Sequence, residues 1–190
     1  MKQQVRIMGV DDSKFSFSDE STLVAAVVVR APAYIESVLS THVAVDGTDS
    51  TEKLSELIGR SRHSVQLKAV FIDGAAMGGF NVIDFRKLYN DHKIPLISVT
   101  RDKPDLDSVK KALSLRFSDW ETRWDLISDG ELLEIETKHN PIFIKAVGIS
   151  RETAVELINL TTVQGALPEP LRLAHLIASG VVMGESTSKA

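Results

Sequence analysis

The order of strand and helix patterns limits the fold of this chain more than any single motif does. Three β-rich runs come before the first helical pattern, and strand and helix patterns then alternate. The strand patterns lie at residues 4–11, 22–31, 36–47, 65–74 and 94–100, and the helical patterns at 50–62 and 82–93. A short connection between the second and third runs favours antiparallel pairing, whereas strand–helix–strand units favour parallel pairing. We therefore predict a three-layer α/β fold with a mixed sheet, three antiparallel strands followed by parallel ones, flanked by helices.

The second half of the chain adds four helical patterns and two short strand patterns. The helical patterns lie at 105–117, 119–130, 150–162 and 168–180, and the strand patterns at 132–136 and 142–149. No internal repeat or low-complexity segment divides the 190 residues, and this length is typical of one domain. We predict a single domain over residues 1–190, in which residues 181–190 form a frayed tail.

Composition excludes several kinds of chemistry. The chain has no cysteine, which rules out disulfides, thiolate catalysis and cysteine-ligated metal sites. We find neither the apolar core of a signal peptide nor the ~20 apolar residues of a membrane span, and we therefore predict a cytoplasmic protein without membrane contact. The net charge of −4 argues against strong nonspecific attachment to nucleic acid. Bound cations can nevertheless supply the positive charge of a nucleic-acid enzyme.

Two predicted strands end on acidic residues. The first strand pattern ends in Asp11 and Asp12, and the pattern at 65–74 ends in Asp73. Side chains alternate along a strand, so Asp11 and Asp12 face opposite sides of the sheet and only one can meet Asp73. Two ionised carboxylates close together are costly unless a proton or a cation lies between them. Because Mg²⁺ prefers oxygen ligands, the pattern favours a Mg²⁺ or Mn²⁺ site at these strand ends.

Candidates for a third acid follow the third strand pattern, in the segment VDGTDSTE. They are Asp46, Asp49 and Glu52, which lie after a strand and at the start of a helix. The same segment has a structural interpretation, because Asp-Gly is a common turn and Asp49 or Ser50 can cap the helix. Spacing alone leaves both interpretations open.

Several motifs together resemble those of the endonuclease V superfamily, in particular a chiefly archaeal, little-characterised branch of it. The matching segments, in chain order, are GVDDSKF (9–15), VFIDGAAMGG (70–79), KIPLISVTR (93–101), GISRETAVELI (148–158) and LPEPLRLAH (167–175). They span most of the chain, and LPEPLRLAH is the most specific of them. The resemblance implies a ribonuclease H-like fold.

The resemblance also implies a Mg²⁺- or Mn²⁺-dependent phosphodiesterase that cuts nucleic acid, DNA or RNA, near a deaminated base. Asp11, Asp73 and a third acid would be catalytic, with Asp11, Asp73 and Asp49 as metal ligands. His175 falls on the last position of the family's Pro-Glu-Pro motif and would complete the metal shell or orient water. Arg101 stands where the family has a lysine and would contact a substrate phosphate.

The chain departs from the family pattern at the third acid and in the loop after Asp73. The family places its third acid in an Arg-Glu pair, whereas here Asp49 matches by its position and Glu52 by its separation from Asp73. The family's loop carries His-Pro-Arg, and this chain has AAMGGF at residues 75–80, without a basic residue. A second hypothesis is therefore a nucleic-acid-binding or regulatory domain that keeps the fold and lacks catalysis.

Three further residues are candidates for substrate contacts. Gly78 and Gly79 lack Cβ, so a phosphate backbone could approach them closely, although they could equally form a surface turn. Tyr34, in RAPAY, lies between the elements where the family has its strand-separating wedge.

Overall fold

The computed structural model describes residues 4–186, which form nine strands and six α-helices. The strands are β1 (Arg6–Asp12), β2 (Ser21–Arg30), β3 (Tyr34–Ala44), β4 (Leu67–Asp73), β5 (Ala76–Met77), β6 (Asn81–Val82), β7 (Leu96–Thr100), β8 (Leu133–Ile135) and β9 (Ile142–Val147). The helices are α1 (Ser50–Gly59), α2 (Phe85–His92), α3 (Leu106–Arg116), α4 (Trp120–Ser128), α5 (Arg151–Thr161) and α6 (Glu169–Met183). None of these helices is long and apolar enough to cross a lipid bilayer.

Seven of the strands form one mixed sheet in the order β3-β2-β1-β4-β7-β9-β8. The first three strands pair antiparallel, and β1 pairs parallel with β4, which pairs parallel with β7. The strands β9 and β8 continue the sheet in antiparallel pairing. The predicted mixed sheet is confirmed, and the carboxyl ends of β1, β4 and β7 lie along one edge of it.

Side-chain alternation along the central strands separates two apolar layers. Met8 and Val10 of β1 are buried in one layer with residues of α1 and α2, and Ile72 of β4 joins them. Ile7 and Phe71 are buried in the other layer with residues of α5 and α6. We call these two sides of the sheet the α1 face and the α6 face. Burial of aliphatic side chains on both faces is the main stabilisation of such a sheet.

Helix α6 lies directly against β1 at Gly9. A β-carbon on Gly9 would lie 2.1 Å from the carbonyl carbon of Pro170 and 2.6 Å from the backbone nitrogen of Leu171. No side chain fits in that space, so only glycine lets the backbone of the helix approach the strand this closely. This contact determines how closely α6 packs against β1.

Two features differ from the sequence prediction. The short strands β5 and β6 form a hairpin where the sequence predicts a glycine-rich loop, because two-residue strands are too short to produce a periodic pattern. Helix α6 runs to Met183, three residues into the segment predicted as a tail. The last four residues of that predicted tail, 187–190, lie outside the described residues.

Replacing Gly9 by alanine is expected to destabilise the fold, because the new methyl group would overlap backbone atoms of Pro170. Overpacking typically costs about 1–3 kcal/mol, and we expect the upper end of this range because backbone atoms cannot rotate away. Urea unfolding of the metal-free wild-type and Gly9→Ala proteins measures the difference in the free energy of unfolding.

Gly59→Ala is the matched control for this substitution. Gly59 ends α1, and an added β-carbon there meets Cε1 of His92 at 3.6 Å, an ordinary contact. Alanine in place of glycine stabilises by about 0.4–1 kcal/mol where the backbone conformation allows it. Equal free energies of unfolding for Gly9→Ala and the wild type would contradict the described contact between β1 and α6.

Candidate active site

Two carboxylates from neighbouring parallel strands project to the α6 face of the sheet. Asp11 lies near the carboxyl end of β1 and Asp73 ends β4, and the register pairs the residues just before them, Val10 and Ile72. Residues two apart on a strand face the same side of the sheet. Phe71 faces α6, so Asp73 does as well, and Ile7 faces α6, so Asp11 does as well. Both side chains line one narrow cleft on that face.

The two carboxylates repel each other in a place that water reaches poorly. Burial raises the pKa of Asp73 to about 7, and the negative charge of Asp11 adds to the increase. The positive charge of Arg101 opposes this shift. Asp11 is itself buried, with 4% of its surface exposed. A proton or a cation between two such groups relieves the repulsion, so the pair suits a divalent metal.

Helix α6 brings His175 to Asp11. Nδ1 of His175 lies 2.9 Å from Oδ2 of Asp11, and Oδ1 of Asp11 accepts a 2.8 Å hydrogen bond from the backbone nitrogen of Asp12. The hydrogen bond to Asp11 is the main cause that raises the pKa of His175. Both oxygens of Asp11 are thus held, and Nε2 of His175 is the ring nitrogen that Asp11 does not engage.

Asp12 projects to the α1 face, as alternation predicts, and anchors a loop. Its Oδ2 accepts a 2.8 Å hydrogen bond from the backbone nitrogen of Gly78. Burial raises the pKa of Asp12 to about 6, although this hydrogen bond acts in the opposite direction. Asp12 therefore ties the loop that follows Asp73 to the end of β1.

Gly78 and Gly79 lie where this loop is anchored to Asp12 and Asp46. The backbone nitrogen of Gly78 is used by Asp12, and its carbonyl oxygen accepts a 2.7 Å hydrogen bond from the backbone nitrogen of Asp46. A β-carbon on Gly79 would lie 2.4 Å from Oδ1 of Asp46, and φ is 55° at Gly78 and 88° at Gly79. The backbone nitrogen of Gly78 is thus engaged by a carboxylate of the protein, and the phosphate contact of Gly78 and Gly79 stays a prediction.

None of the three candidates for the third acid lines the cleft, and Asp46 instead binds the backbone nitrogen of Phe80 through Oδ1. Oδ1 of Asp49 accepts hydrogen bonds from the backbone nitrogen of Ala44, at 3.1 Å, and from Nδ2 of Asn81, at 2.6 Å. Glu52 is exposed in the first turn of α1, which packs on the face opposite α6. Neither acid lines the cleft that Asp11 and Asp73 share. The structure therefore does not group Asp49 or Glu52 with the two buried carboxylates.

The site offers a metal two carboxylates and a neighbouring imidazole. Within residues 4–186 no group of three or more His, Cys, Asp or Glu side chains has the spacing of a complete metal site. Mg²⁺ commonly keeps several waters and binds through one or two carboxylates and substrate phosphates. Asp11 and Asp73 fit that mode of binding, and their role as metal ligands stays a prediction.

Arg101, directly after β7, lies beside the carboxylates. It lines the cleft with Asp73 and also an adjoining cavity of about 370 Å³, which Arg172 lines as well. Arg172 forms a bidentate ion pair with Glu169, at 2.9 and 2.8 Å. A guanidinium group next to an acidic pair, as Arg101 is, suits a ligand that carries a phosphodiester. The predicted contact of Arg101 with phosphate stays a prediction.

Tyr34 lies at the other end of the sheet, which corrects its predicted place at the substrate-binding end. It pairs with Arg30 of β2, and Arg30 pairs with Arg6 at the start of β1. Asp11 is further along β1 by roughly 16 Å, at about 3.3 Å per residue. The β2–β3 turn therefore lies at the amino end of β1, away from the cleft.

A buried arginine that no motif identified holds the loops beside the site. Nη1 of Arg123 donates hydrogen bonds to the carbonyl oxygens of Asp46, Gly47 and Phe80, at 3.1, 2.9 and 2.5 Å. Its Nε donates to Asp119 at 3.0 Å. The signal in the sequence is the i, i+4 spacing of Asp119 and Arg123, which is more typical of a surface ion pair.

A separate cavity lies on the α1 face, beside the loop at residues 74–80. Its volume is about 240 Å³, and its lining is mostly apolar and includes Phe80 and Phe143. Ser98 of β7 and Lys145 of β9 are polar side chains in this lining. The cavity combines residues from distant parts of the chain, so only the fold reveals it.

A family model described as endonuclease dU matches residues 3–182 of the chain. A UPF0215 protein of Methanothermobacter thermautotrophicus is 41% identical over 192 aligned positions, which cover 100% of this chain and 94% of the relative. The crystal structure of a protein of unknown function from Archaeoglobus fulgidus is 32% identical, with a TM-score of 0.83, and the match covers 94% of this chain and 98% of that one.

Endonuclease V of Ciona intestinalis has a related structure, solved in complex with a 24mer DNA that contains an inosine followed by a ribo-adenosine. It is 17% identical with a TM-score of 0.56, and the match covers 90% of this chain and 83% of that one. At this identity the likeness shows a shared fold. Together with the family match, it confirms the predicted ribonuclease H-like fold and the resemblance to an archaeal, endonuclease V-like branch.

Replacing Asp73 by asparagine is expected to change how stability depends on pH. The unfolded chain loses the Asp73 proton near the ordinary pKa of 3.8, whereas the folded protein holds it to about 7. Between these values the unfolded chain binds fewer protons, so this group lowers the free energy of unfolding as pH rises, and the loss is complete above pH ~7. Asp73→Asn removes that contribution, so its stability should fall less over the same range.

Urea unfolding in EDTA at several pH values measures this difference without interference from bound metal. Asp125→Asn, which changes an exposed residue of α4, is the control and should follow the wild type. Parallel curves of stability against pH for the wild type and Asp73→Asn would contradict the described burial of Asp73 beside Asp11.

Proposed function

Because the chain belongs to the endonuclease dU family, we propose that it is a metal-dependent endonuclease that hydrolyses phosphodiester bonds near a deaminated base. The observation that carries this proposal is the buried pair Asp11 and Asp73, on adjacent parallel strands, with His175 hydrogen-bonded to Asp11. The family name contains the usual abbreviation of deoxyuridine, so DNA that contains uracil is the first substrate to test.

Asp11 and Asp73 would hold Mg²⁺ or Mn²⁺ through their carboxylate oxygens. A bound divalent cation supplies positive charge that stabilises the phosphoryl oxygens and makes water a better nucleophile. This arrangement fits the net charge of −4, because the positive charge at the substrate phosphate comes from the cation and from a few arginines.

His175 and Arg101 have complementary roles in the proposed hydrolysis. A water oxygen adds to phosphorus, one P–O bond breaks, and the departing oxygen takes a proton. His175 holds Asp11 through Nδ1, so its Nε2 is the atom that would carry a proton at the cleft. Arg101 would bind a phosphate oxygen through its planar guanidinium group.

The cavity beside the loop at residues 74–80 suits a single base. Enzymes that act at one base in a duplex commonly move it out of the stack and into a pocket. A volume of about 240 Å³ and the rings of Phe80 and Phe143 offer room and apolar contact for such a base. Endonuclease V of Ciona intestinalis was solved with DNA that contains inosine, which is also a product of deamination.

A second candidate function is nucleic-acid binding without catalysis. It is favoured by the positions of Asp49 and Glu52, neither of which lines the cleft with the two buried carboxylates. It also agrees with the lack of a basic residue between positions 74 and 80. Binding of uracil-containing DNA that is never followed by cleavage, with either Mg²⁺ or Mn²⁺, would favour this alternative.

Wild-type protein is expected to cut uracil-containing DNA with Mg²⁺ or Mn²⁺ and to be inactive in EDTA. Asp11→Asn or Asp73→Asn removes a charged ligand from the pair, so we expect initial rates to fall on the order of 100-fold or more. The assay uses end-labelled single-stranded and duplex DNA and RNA that carry uracil, hypoxanthine or undamaged bases at one position.

Asp125→Asn is again the control, and it should cut at the wild-type rate. Circular dichroism of each variant separates loss of activity from loss of structure. Cleavage that continues in EDTA, or an Asp73→Asn protein with the wild-type rate, would refute the proposed chemistry.

Mn²⁺ is expected to raise the unfolding temperature of the wild type, because a ligand that binds only the folded state stabilises it. At a concentration 100 times the dissociation constant the gain is about 2.7 kcal/mol. Asp11→Asn and Asp73→Asn should lose most of this shift, since each leaves a single carboxylate in the cleft. A shift of the same size in both variants would place the metal elsewhere on the protein.

A further inference from the structure

The cavity on the α1 face contains a polar pair on adjacent strands. Ser98 and Lys145 are directly opposite each other in the antiparallel register of β7 and β9, and both side chains line the cavity. Opposite residues of this kind have β-carbons about 4.5–5.5 Å apart. The next opposite pair, Thr100 and Phe143, lines the same cavity. Ser98 and Lys145 therefore give the lining of a largely apolar cavity two polar side chains that start from opposite positions on neighbouring strands.

The hydrogen bonds of this pair fix what each side chain offers to a ligand. Oγ of Ser98 donates its one hydrogen to the carbonyl oxygen of Gly74, at 2.8 Å, and so offers a ligand only an acceptor. Nζ of Lys145 donates to the carbonyl oxygens of Ile127 and Asp129, at 2.5 and 3.0 Å. An ammonium group has three hydrogens and no acceptor, so Lys145 offers a ligand one further donor.

We propose that Ser98 and Lys145 recognise the lactam edge of a deaminated base, which is a ring carbonyl next to a ring N–H. Lys145 donates to the carbonyl oxygen, and Ser98 accepts from the N–H. Uracil presents O4 and N3–H along this edge, and hypoxanthine presents O6 and N1–H. The inference rests on the proposed function and identifies the part of the base that determines specificity.

The same pair disfavours the bases from which these products arise. Cytosine has an amino group in place of O4 and a bare ring nitrogen in place of N3–H, and adenine differs from hypoxanthine in the same way. Either base sets a donor against Lys145 and an acceptor against Ser98. A site that hydrogen-bonds one ligand group can disfavour an analogue without that group by as much as about 10⁴–10⁵-fold, because the polar groups of the site are then left unpaired.

Thymine and guanine also carry a lactam edge, so Ser98 and Lys145 do not distinguish them from uracil and hypoxanthine. In a duplex, however, thymine and guanine are held in Watson–Crick pairs. A mismatched or damaged base leaves the stack at a lower cost, which is a separate source of selectivity. The polar pair therefore excludes amino bases, and the duplex protects the normal keto bases.

The test measures binding instead of cutting, so that it does not depend on catalysis. Single-stranded oligonucleotides that carry uracil, hypoxanthine, cytosine or adenine at one position, and only cytosine and adenine elsewhere, are titrated in EDTA by fluorescence anisotropy. All proteins carry Asp73→Asn, which prevents cleavage. In that background Ser98→Ala and Lys145→Met are compared with Lys68→Met, which removes an exposed lysine of β4.

The parent is expected to bind uracil at least about ten-fold more tightly than cytosine. Ser98→Ala and Lys145→Met should each bring this ratio close to one by weakening the binding of uracil, without a similar effect on cytosine. Lys68→Met should leave the ratio unchanged. If uracil and hypoxanthine are both bound more tightly than cytosine and adenine, to the same degree, the lactam edge alone is recognised. If only uracil is bound more tightly, the cavity also excludes the larger purine ring.

A uracil-to-cytosine ratio near one in the parent overturns the inference. So does a ratio that stays at the parent value in both Ser98→Ala and Lys145→Met while circular dichroism shows that they are folded. Selective binding of uracil by a wild type that cuts no substrate refutes the proposed function and leaves this inference standing. Cleavage at uracil together with an unchanged ratio in both variants refutes only this inference.

Discussion

The contact between Gly9 and the first turn of α6 is the constraint on which the candidate site depends. No side chain separates strand and helix there, so α6 lies close to β1. From Pro170 to His175 the helix advances by about 7.5 Å, and from Gly9 to Asp11 the strand advances by about 6.6 Å. The two advances are nearly equal, which is consistent with the 2.9 Å contact between His175 and Asp11. A residue at position 9 that lifted α6 would separate the imidazole from the carboxylate.

The alternation of side chains at the end of β1 gives two adjacent acids different tasks. Asp11 joins Asp73 on the α6 face, while Asp12 on the α1 face holds the loop at residues 74–80 through Gly78. That loop begins at the end of β4 and continues into the wall of the cavity on the α1 face. The cleft and the cavity thus lie on opposite faces of the sheet, near the carboxyl ends of its central parallel strands. Under the proposed function, a nucleotide that lies across the carboxyl ends of these strands has its phosphate at the cleft and its base in the cavity.

The sequence predicted those parts of the fold and the site that depend on local patterns. Strand and helix order was sufficient for the mixed sheet. Strand ends drew attention to Asp73 and to the pair Asp11 and Asp12, and the family resemblance was needed to choose Asp11. Tyr34 lies at the turn between β2 and β3, and antiparallel pairing of β1 with β2 is enough to put that turn at the amino end of β1. The family resemblance, which suggested a substrate contact for Tyr34, did not take this topology into account. Asp49 lies at a helix start, where the family resemblance suggested a catalytic acid. Its hydrogen bond with Asn81, which lies far along the chain, could not be read from the local sequence. The pairing of Ser98 with Lys145 depends on long-range register in the same way.

The lack of basic residues between positions 74 and 80 follows from how this loop is held. Asp12 binds the backbone of Gly78, and Asp46 binds the backbone of Phe80 while its other oxygen pairs with Arg116 at 2.8 Å. These acids use the amides that a phosphate-binding loop would present to its ligand. Under the proposed function, positive charge for a phosphate would come from outside the loop, and Arg101 lines the cleft next to the carboxylates. A neutral loop is therefore compatible with the proposed function, under which the loop shapes the cavity and the phosphate would be bound on the α6 face.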